Sequence, residues 1–259
     1  MSIQIRLNGL SFCILNRSNN TIELITHVRL DKKATPYELL NELIKAITST
    51  IELQQTFDSV TCIYQNELAS LIPNELFDER NLAEYLKFNS KILKNDFINY
   101  DKLAANNSVN VYIPLVNINN YIFETFGAFD YKHFATILIE TLLQKAFISS
   151  DYVLYLHINQ TSLEIIGVNN KLLTFYNTFE YGSKEDFIYY ILFTLEQLQL
   201  DPETIKIMII DGITENDTLF KILYKYVRFV EVLKPNYNYD VTHNLDHSFN
   251  NFTLLNSFN

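Results

Sequence analysis

The chain of 259 residues has no tryptophan, only two cysteines, and 20 Lys+Arg against 30 Asp+Glu. Each shortage excludes something. A net charge of −10 opposes phosphate backbones and anionic lipid surfaces, both of which need a positive field, so a nucleic-acid partner is not expected. No apolar run approaches the roughly 20 residues that cross a bilayer, and the opening MSIQIRLNGL alternates like a strand where a signal peptide would carry a continuous apolar core. No membrane insertion is expected, and a cytoplasmic protein is. Cys13 and Cys62 lie in apolar, strand-like runs without CxxC spacing, which predicts two buried, reduced thiols and neither a disulfide nor a metal site. Abundant Asn, Phe, Tyr, Ile and Lys beside the missing tryptophan reads as codon bias, not as an aromatic binding surface.

What is present is apolar sequence in ordered blocks. At 48% hydrophobic the chain can bury one large core or two of ordinary size. The clearest block runs from Tyr152 to Leu233. VLYLHI (153–158), LEIIG (163–167) and KLLTFYNTF (171–179) read as three strands, broken by Asn159-Gln160-Thr161-Ser162 and Asn169-Asn170, because Asn tolerates φ > 0. Ser183 then caps a helix, with Asp186 in a near capping box and Ile188, Ile191, Leu192 and Leu195 on one face. IKIMII (205–210) is apolar on both faces, as a central parallel strand should be, and is followed by Asp211-Gly212, a helix near Asp217–Tyr226 and the strand FVEVL (229–233). The order is βββαβαβ.

The first third repeats that order. SIQIR, LSFCIL and TIELITHVR within residues 2–29 form a meander with a tight Asn8-Gly9 turn. Thr35-Pro36-Tyr37-Glu38 is a full capping box, and Leu40, Leu43, Ile44, Ile47 and Ile51 form one stripe. SVTCIY (59–64) matches IKIMII, and a helix near Asp78–Phe88 matches Asp217–Tyr226. Between the repeats, VNVYIPLV (109–116) reads as a strand, Asn117–Asn120 as a polar turn before YIFETF (121–126), and Tyr131–Phe147 as a helix. Ile148-Ser149-Ser150-Asp151 is the expected hinge. The expected division is therefore 1–150 and 151–259, the second part ending in an irregular, Asn-rich tail whose Phe249, Phe252, Leu254 and Leu255 should fold back on the body. Leu43, Ile44, Ile191, Leu192, Ile207 and Ile209 should be buried.

Two tandem βββαβαβ units look like the actin-like ATPase superfamily, whose halves are ribonuclease-H-like domains closing on a nucleotide. LIPNELFDERNLAEYLKFN (71–89) and NTFEYGSKEDFIYYILFTLEQL (177–198) resemble, more closely, an uncharacterised family of bacterial proteins classed as a domain of unknown function with that architecture. The resemblance covers the chain to about Leu233. It implies an α/β fold of two ribonuclease-H-like lobes and supplies no activity.

In nucleotide-binding relatives the resemblance implies an Asp-x-Gly-like phosphate loop after the first strand of each half, where the acid organises hydrated Mg²⁺ and Gly admits backbone N–H groups to phosphate. Here the first loop is Leu7-Asn8-Gly9, with Leu7 where the acid belongs, and the second is His157-Ile158-Asn159-Gln160-Thr161-Ser162, with neither Asp nor Gly. The adenosine-side loop has one Gly, in Asp211-Gly212-Ile213-Thr214. These loops read as degenerate, and ATP hydrolysis is not expected. A ribonuclease-H-type nuclease needs converging carboxylates on two metals. Arg6 and His157 stand where acids are wanted, leaving Asp211 and Glu67, so no catalytic or metal-binding residue is assigned. His243 and His247, with Asp240 and Asp246, have zinc-like spacing but little helical character and no Glu after His243. Ser11, Ser162 and Ser183 lack a Gly-x-Ser-x-Gly setting and read as caps or turns. Tyr181, Tyr189 and Tyr190 beside Phe187 read as core and groove packing, although hydroxyls at a rim would suit a protein partner.

The expectation is a non-catalytic, actin-like scaffold for an unnamed protein partner, without a cofactor. The alternative is a switch that still admits ATP and Mg between the lobes through Asn8, Gly9, Asn159, Thr161, Ser162, Asp211 and Gly212. In the scaffold reading Asp211 caps the helix that follows it.

Overall fold

The structure, a computed structural model, describes residues 1–87, 92–93, 96–144, 152–234, 236–241 and 251–258. Two compact units are present: Met1–Leu138 with Tyr237–Asn244 and Thr253–Asn259, and Ile139–Asn236 with Leu245–Phe252. The expected hinge at 148–151 lies outside the described residues.

The first unit opens with the meander β1 (Ser2–Arg6), β2 (Gly9–Asn16) and β3 (Thr21–Arg29), β2 running antiparallel to both neighbours. Helix α1 (Pro36–Ser49) starts on the expected capping box: Thr35 Oγ1 accepts the Glu38 N–H at 3.3 Å, and the Glu38 carboxylate accepts the Thr35 N–H at 2.8 Å. It buries Leu39, Leu43, Ala46 and Ile47. The expected stripe is thus rotated. Ile44 is only half-buried, and Ile51 is 83% exposed because the helix ends at Ser49 and Ile51 begins a separate 3₁₀ turn. Strand β4 (Thr61–Gln65) then lies parallel to β1.

An insertion follows that the element order did not reveal. β5 (Ala69–Pro73), α2 (Leu82–Leu86), β6 (Asn99–Leu103) and β7 (Ser108–Tyr112) form an antiparallel sheet of order β5-β7-β6, with its own core of Leu86, Val109, Val111 and Ile113. The helix expected near Asp78–Phe88 is therefore five residues long, preceded by a 3₁₀ turn at Glu79–Asn81. It serves the inserted sheet and is no counterpart of the late helix. That counterpart is α3 (Val116–Phe126), which leads into β8 (Asp130–His133), parallel to β4. The Asn117–Asn120 turn is corrected accordingly: these residues are helical, with Ile118 and Ile122 buried one turn apart. Gly127 stops the helix at φ +81°, its N–H donating to Phe123 O at 2.9 Å. Tyr131 belongs to β8, and the helix expected from it, α4, spans Phe134–Gln144.

The second unit follows expectation closely. β9 (Val153–Ile158), β10 (Ser162–Asn169), β11 (Leu172–Glu180), α5 (Lys184–Gln197), β12 (Lys206–Asp211), α6 (Thr218–Tyr226) and β13 (Phe229–Val232) appear in that order. β12 is parallel to β9 on one side and to β13 on the other. Ile191, Ile207 and Ile209 are fully buried, whereas Leu192 is half-buried at the margin of the helix contact.

The tail is not irregular throughout. β14 (Asp240–Val241) adds to β3 in parallel, and α7 (Phe252–Asn256) buries Phe252, Leu254 and Leu255. The two main sheets read β14-β3-β2-β1-β4-β8 and β11-β10-β9-β12-β13, so five strands repeat in the same order.

Candidate functional site

In the first unit the β1–β2 turn is already engaged. Leu7 O accepts the Ala34 N–H at 2.7 Å and Asn8 O accepts the Leu30 N–H at 3.0 Å. Gly9 has a local reason to be glycine: a Cβ there would lie 2.4 Å from Val28 O across the sheet. Arg6, at the end of β1, donates to Ser11 Oγ at 3.3 Å, and His27 Nδ1 meets the same oxygen at 2.9 Å.

The second unit holds a polar network that the sequence reading missed. His157 and Glu164 face each other across the β9–β10 hairpin, with Nδ1 to Oε2 at 2.7 Å and both side chains essentially inaccessible. A buried pair of this kind stands only when its remaining acceptors are met. Asn159 Nδ2 donates to Glu164 Oε2 at 3.1 Å and to Ser162 Oγ at 3.1 Å, and Ser162 Oγ donates to Glu164 Oε1 at 3.4 Å. The Asn159 N–H donates to Ser162 O at 2.8 Å, closing the turn, and Thr161 O accepts the Tyr181 N–H at 3.0 Å. The Tyr181 hydroxyl donates to Asn159 O; burial, with Glu164 adding to it, pushes this phenol up to about 12. The signal for the pair was a His and a Glu, each alone in an apolar strand, seven residues apart around one hairpin.

Asp211 ends β12 opposite His157 in the parallel register. Its Oδ1 accepts the Gly212 N–H at 3.0 Å, and Oδ2 accepts the N–H groups of Asn251 at 2.6 Å and Phe252 at 3.0 Å. Burial holds its carboxyl above the ordinary range, opposed by His157 and these three N–H donors. Asp211 is thus a cap, but not for the helix after it. That helix begins at Thr218, just after Asp217, whose carboxylate accepts from the Thr214 N–H at 2.6 Å. Gly212 adopts φ +98°, a left-handed backbone that suits glycine. Asn159, Ser162 and Asp211 therefore gather around the His157–Glu164 pair at one end of the second sheet, while Asn8 and Gly9 belong to the first unit.

A second buried network anchors the insertion within the first unit. Asp101 Oδ2 accepts the His133 N–H at 2.8 Å and the Thr136 hydroxyl at 2.7 Å, and Oδ1 accepts the Tyr112 hydroxyl at 3.1 Å. The His133 ring is placed by Nε2 against Asn66 O at 3.1 Å and by the Ala135 N–H to Nδ1 at 3.3 Å, so Nε2 carries the proton. Burial pushes His133 down to about 4 and Asp101 up.

Cys13 and Cys62 are buried and free, and burial pushes the Cys13 thiol up to about 12. Tyr189 departs from the expected packing and is 59% exposed, while Phe187 is buried. His243, His247 and Asp246 lie outside the described residues. Among the described residues no three His, Cys, Asp or Glu side chains group as a metal site requires, and no helix is long and apolar enough to cross a membrane.

Two mixed sheets of matching order, resembling ribonuclease-H-like lobes, define an α/β protein of the actin-like ATPase fold. A Bacteroides thetaiotaomicron protein of that fold and unknown function is similar at TM-score 0.80 and 22% identity, over 90% of this chain and 89% of that one. A chain of the PilM–PilN type IV pilus biogenesis complex is similar at TM-score 0.56 and 14% identity, over 90% and 87%. The chain belongs to the family described as "Protein of unknown function (DUF3822)", whose model matches residues 1–230. No curated protein matches it.

Proposed function

We propose that the protein is a non-catalytic scaffold that binds another protein through an actin-like body. The observation that carries this reading is the occupation of the second unit's candidate loop groups. Both oxygens of Asp211 accept backbone N–H groups, and the Asn159 and Ser162 side chains are turned onto buried Glu164. A phosphate or hydrated cation would have to break these bonds, leaving buried polar groups unmet at about 1–3 kcal/mol each. Gly9 is likewise explained by sheet packing, without any ligand. The similarity to a chain from a two-protein pilus complex is compatible with a binding role and adds no more than the fold.

Thermal melting with and without Mg-ATP tests the reading against its rival, an ATP-loaded switch. A ligand at about 100-fold over its Kd adds roughly 2.7 kcal/mol of stability, a shift of several degrees. The scaffold is expected to melt at the same temperature in millimolar Mg-ATP as without it. A saturable rise, removed by substituting Asp211, assigns the protein to the switch.

A further inference from the structure

Four aromatic rings of the second unit form a continuous ladder that climbs from the sheet into solvent. Phe179 of β11 stacks on Tyr190 of α5 with centroids 4.8 Å apart and planes 19° apart. Tyr190 meets Tyr189 edge-on at 5.5 Å, and Tyr189 stacks on Phe193 at 5.9 Å and 21°. Phe179 and Tyr190 are half-buried, whereas Tyr189 is 59% and Phe193 41% exposed. Helix α5 buries Phe187, Ile188, Ile191, Thr194 and Leu195. At about 100° per residue, Tyr189 and Phe193 fall on the side opposite that core, where nothing in the folding of the unit calls for aromatic rings. Single exposed apolar residues need no explanation, but a joined strip of rings is the mark of a binding surface.

The flanks of the strip are acidic. Glu185 and Asp186 precede Tyr189 by four and three residues, and Glu196 follows Phe193 by three, spacings that make neighbours on a helix surface. All three are exposed. Asp186 is partly occupied, accepting the Gly182 N–H at 3.1 Å. Lys184 approaches Glu185 only to 3.8 Å, both in water, a contact of little strength.

We propose that this ladder docks an arginine-bearing segment of a partner protein, a guanidinium lying on the exposed face of Tyr189 or Phe193 and pairing with Glu185 or Glu196. Aromatic faces attract cations, and a guanidinium adds planar stacking and a two-pronged match to carboxylate that a lysine ammonium lacks. The net charge of −10 favours the same occupant by drawing cationic segments to the molecule. The surface rests on the scaffold reading and gives it a place and a partner chemistry.

The test is fluorescence anisotropy of labelled octa-arginine and octa-lysine, equal in charge, against the full chain and against Tyr189→Ala/Phe193→Ala. Both rings are outside the core, so the double variant is expected to melt like the parent. Octa-arginine should bind about tenfold more tightly than octa-lysine, and the double variant should remove that preference by weakening octa-arginine far more than octa-lysine. Glu185→Gln/Glu196→Gln should weaken both peptides and keep the preference. Equal affinity for the two peptides, binding of neither, or an unchanged preference in the ring variant overturns the proposal. Self-association of the parent that the ring variant abolishes, without octa-arginine binding, gives the ladder to a second copy of the chain instead. None of these failures touches the Mg-ATP melt, so the scaffold reading is tested separately.

Discussion

Asp211 illustrates how one side chain can be read correctly in kind and incorrectly in partner. It is a backbone cap, yet its donors are Gly212, Asn251 and Phe252 and not the helix that follows. That changes the expected cost of replacing it. At an ordinary cap Asn substitutes for Asp with little loss. Here both oxygens face N–H groups, so the amide nitrogen of Asn must point at a donor. Asp211→Asn is expected to lower unfolding free energy by about 1–3 kcal/mol in urea titration; an unchanged midpoint would show that the three bonds do not hold together in solution. His133 gives a second residue-scale expectation, in pH. Burial depresses it from 6.5 to about 4, so on acidification the unfolded chain takes a proton that the folded chain refuses. Its contribution to stability is full above about 6.5 and is lost as pH falls toward about 4, at up to about 1.4 kcal/mol per pH unit. Asp101 and Asp211, both raised by burial, act oppositely: each contributes stability at low pH that is lost as pH rises through its raised pKa, offsetting part of the acid loss. Urea midpoints at pH 7 and 4.5 should therefore diverge less in His133→Gln than in the parent.

At the scale of elements, α5 separates burial from hydrophobicity. Ile191 is fully buried and Leu192, its neighbour, only half-buried. Ile191→Ala should cost about 2–5 kcal/mol and Leu192→Ala roughly half as much, measured by the same titration. The reverse order would mean that the helix is rotated about its axis. The elements legible in the sequence were those whose signals are local: the two meanders, the Thr35 and Ser183 caps, the apolar strand at Lys206–Asp211. What was illegible depended on distant contacts. Asn117 and Asn119 look like turn formers but are held in α3 by partners elsewhere in the chain: Asn117 Nδ2 donates to Pro36 O at 2.7 Å, and the Tyr64 hydroxyl donates to Asn119 Oδ1 at 2.5 Å. Tertiary contacts outweigh the few tenths of a kcal/mol by which Asn disfavours a helix. The Gly127 stop and the one-turn spacing of Ile118 and Ile122 are local helix signals that the turn reading passed over. Of the inserted sheet only its central strand β7 was legible, within VNVYIPLV; β5 and β6 were not, because these short, half-exposed strands mix polar and apolar residues without a clear period. At the candidate site, the loop positions were legible from topology. The buried His157–Glu164 pair was not, since only the hairpin register brings those two residues together.

At the scale of the molecule, the stretch with the weakest sequence signal completes a core. Ser2 and Gln4 of β1 are polar and wholly buried. Tail residues account for part of this: Ser257 Oγ meets Ser2 Oγ at 2.6 Å, and Thr253 Oγ1 donates to Gln4 Oε1 at 3.4 Å, while Gln4 Nε2 donates to Gln65 Oε1 of β4 at 2.6 Å. Tyr239 donates its hydroxyl to Leu255 O, packs edge-on against Phe258 at 6.3 Å, and has its phenol raised by burial first, then by Tyr237 and Cys13. The first unit's sheet is thus covered on one face by chain that lies beyond residue 230, where the family match ends. Burying three large apolar side chains such as Phe252, Leu254 and Leu255 is worth about 1.5–3 kcal/mol each, comparable in sum with the whole stability of a typical domain. A chain ending at Asn236 should accordingly lose its cooperative urea transition or shift it far to lower denaturant. Thiol labelling gives an independent readout. In the intact protein both cysteines are inaccessible and should react only as fast as the chain opens. Without the tail, Cys13, which is close enough to Tyr239 to raise its phenol, should react quickly, whether alone in a loosened sheet or together with Cys62 in an unfolded unit. If both thiols of the shortened chain stay protected and its transition is unmoved, the tail is an ornament on the fold and not part of its core.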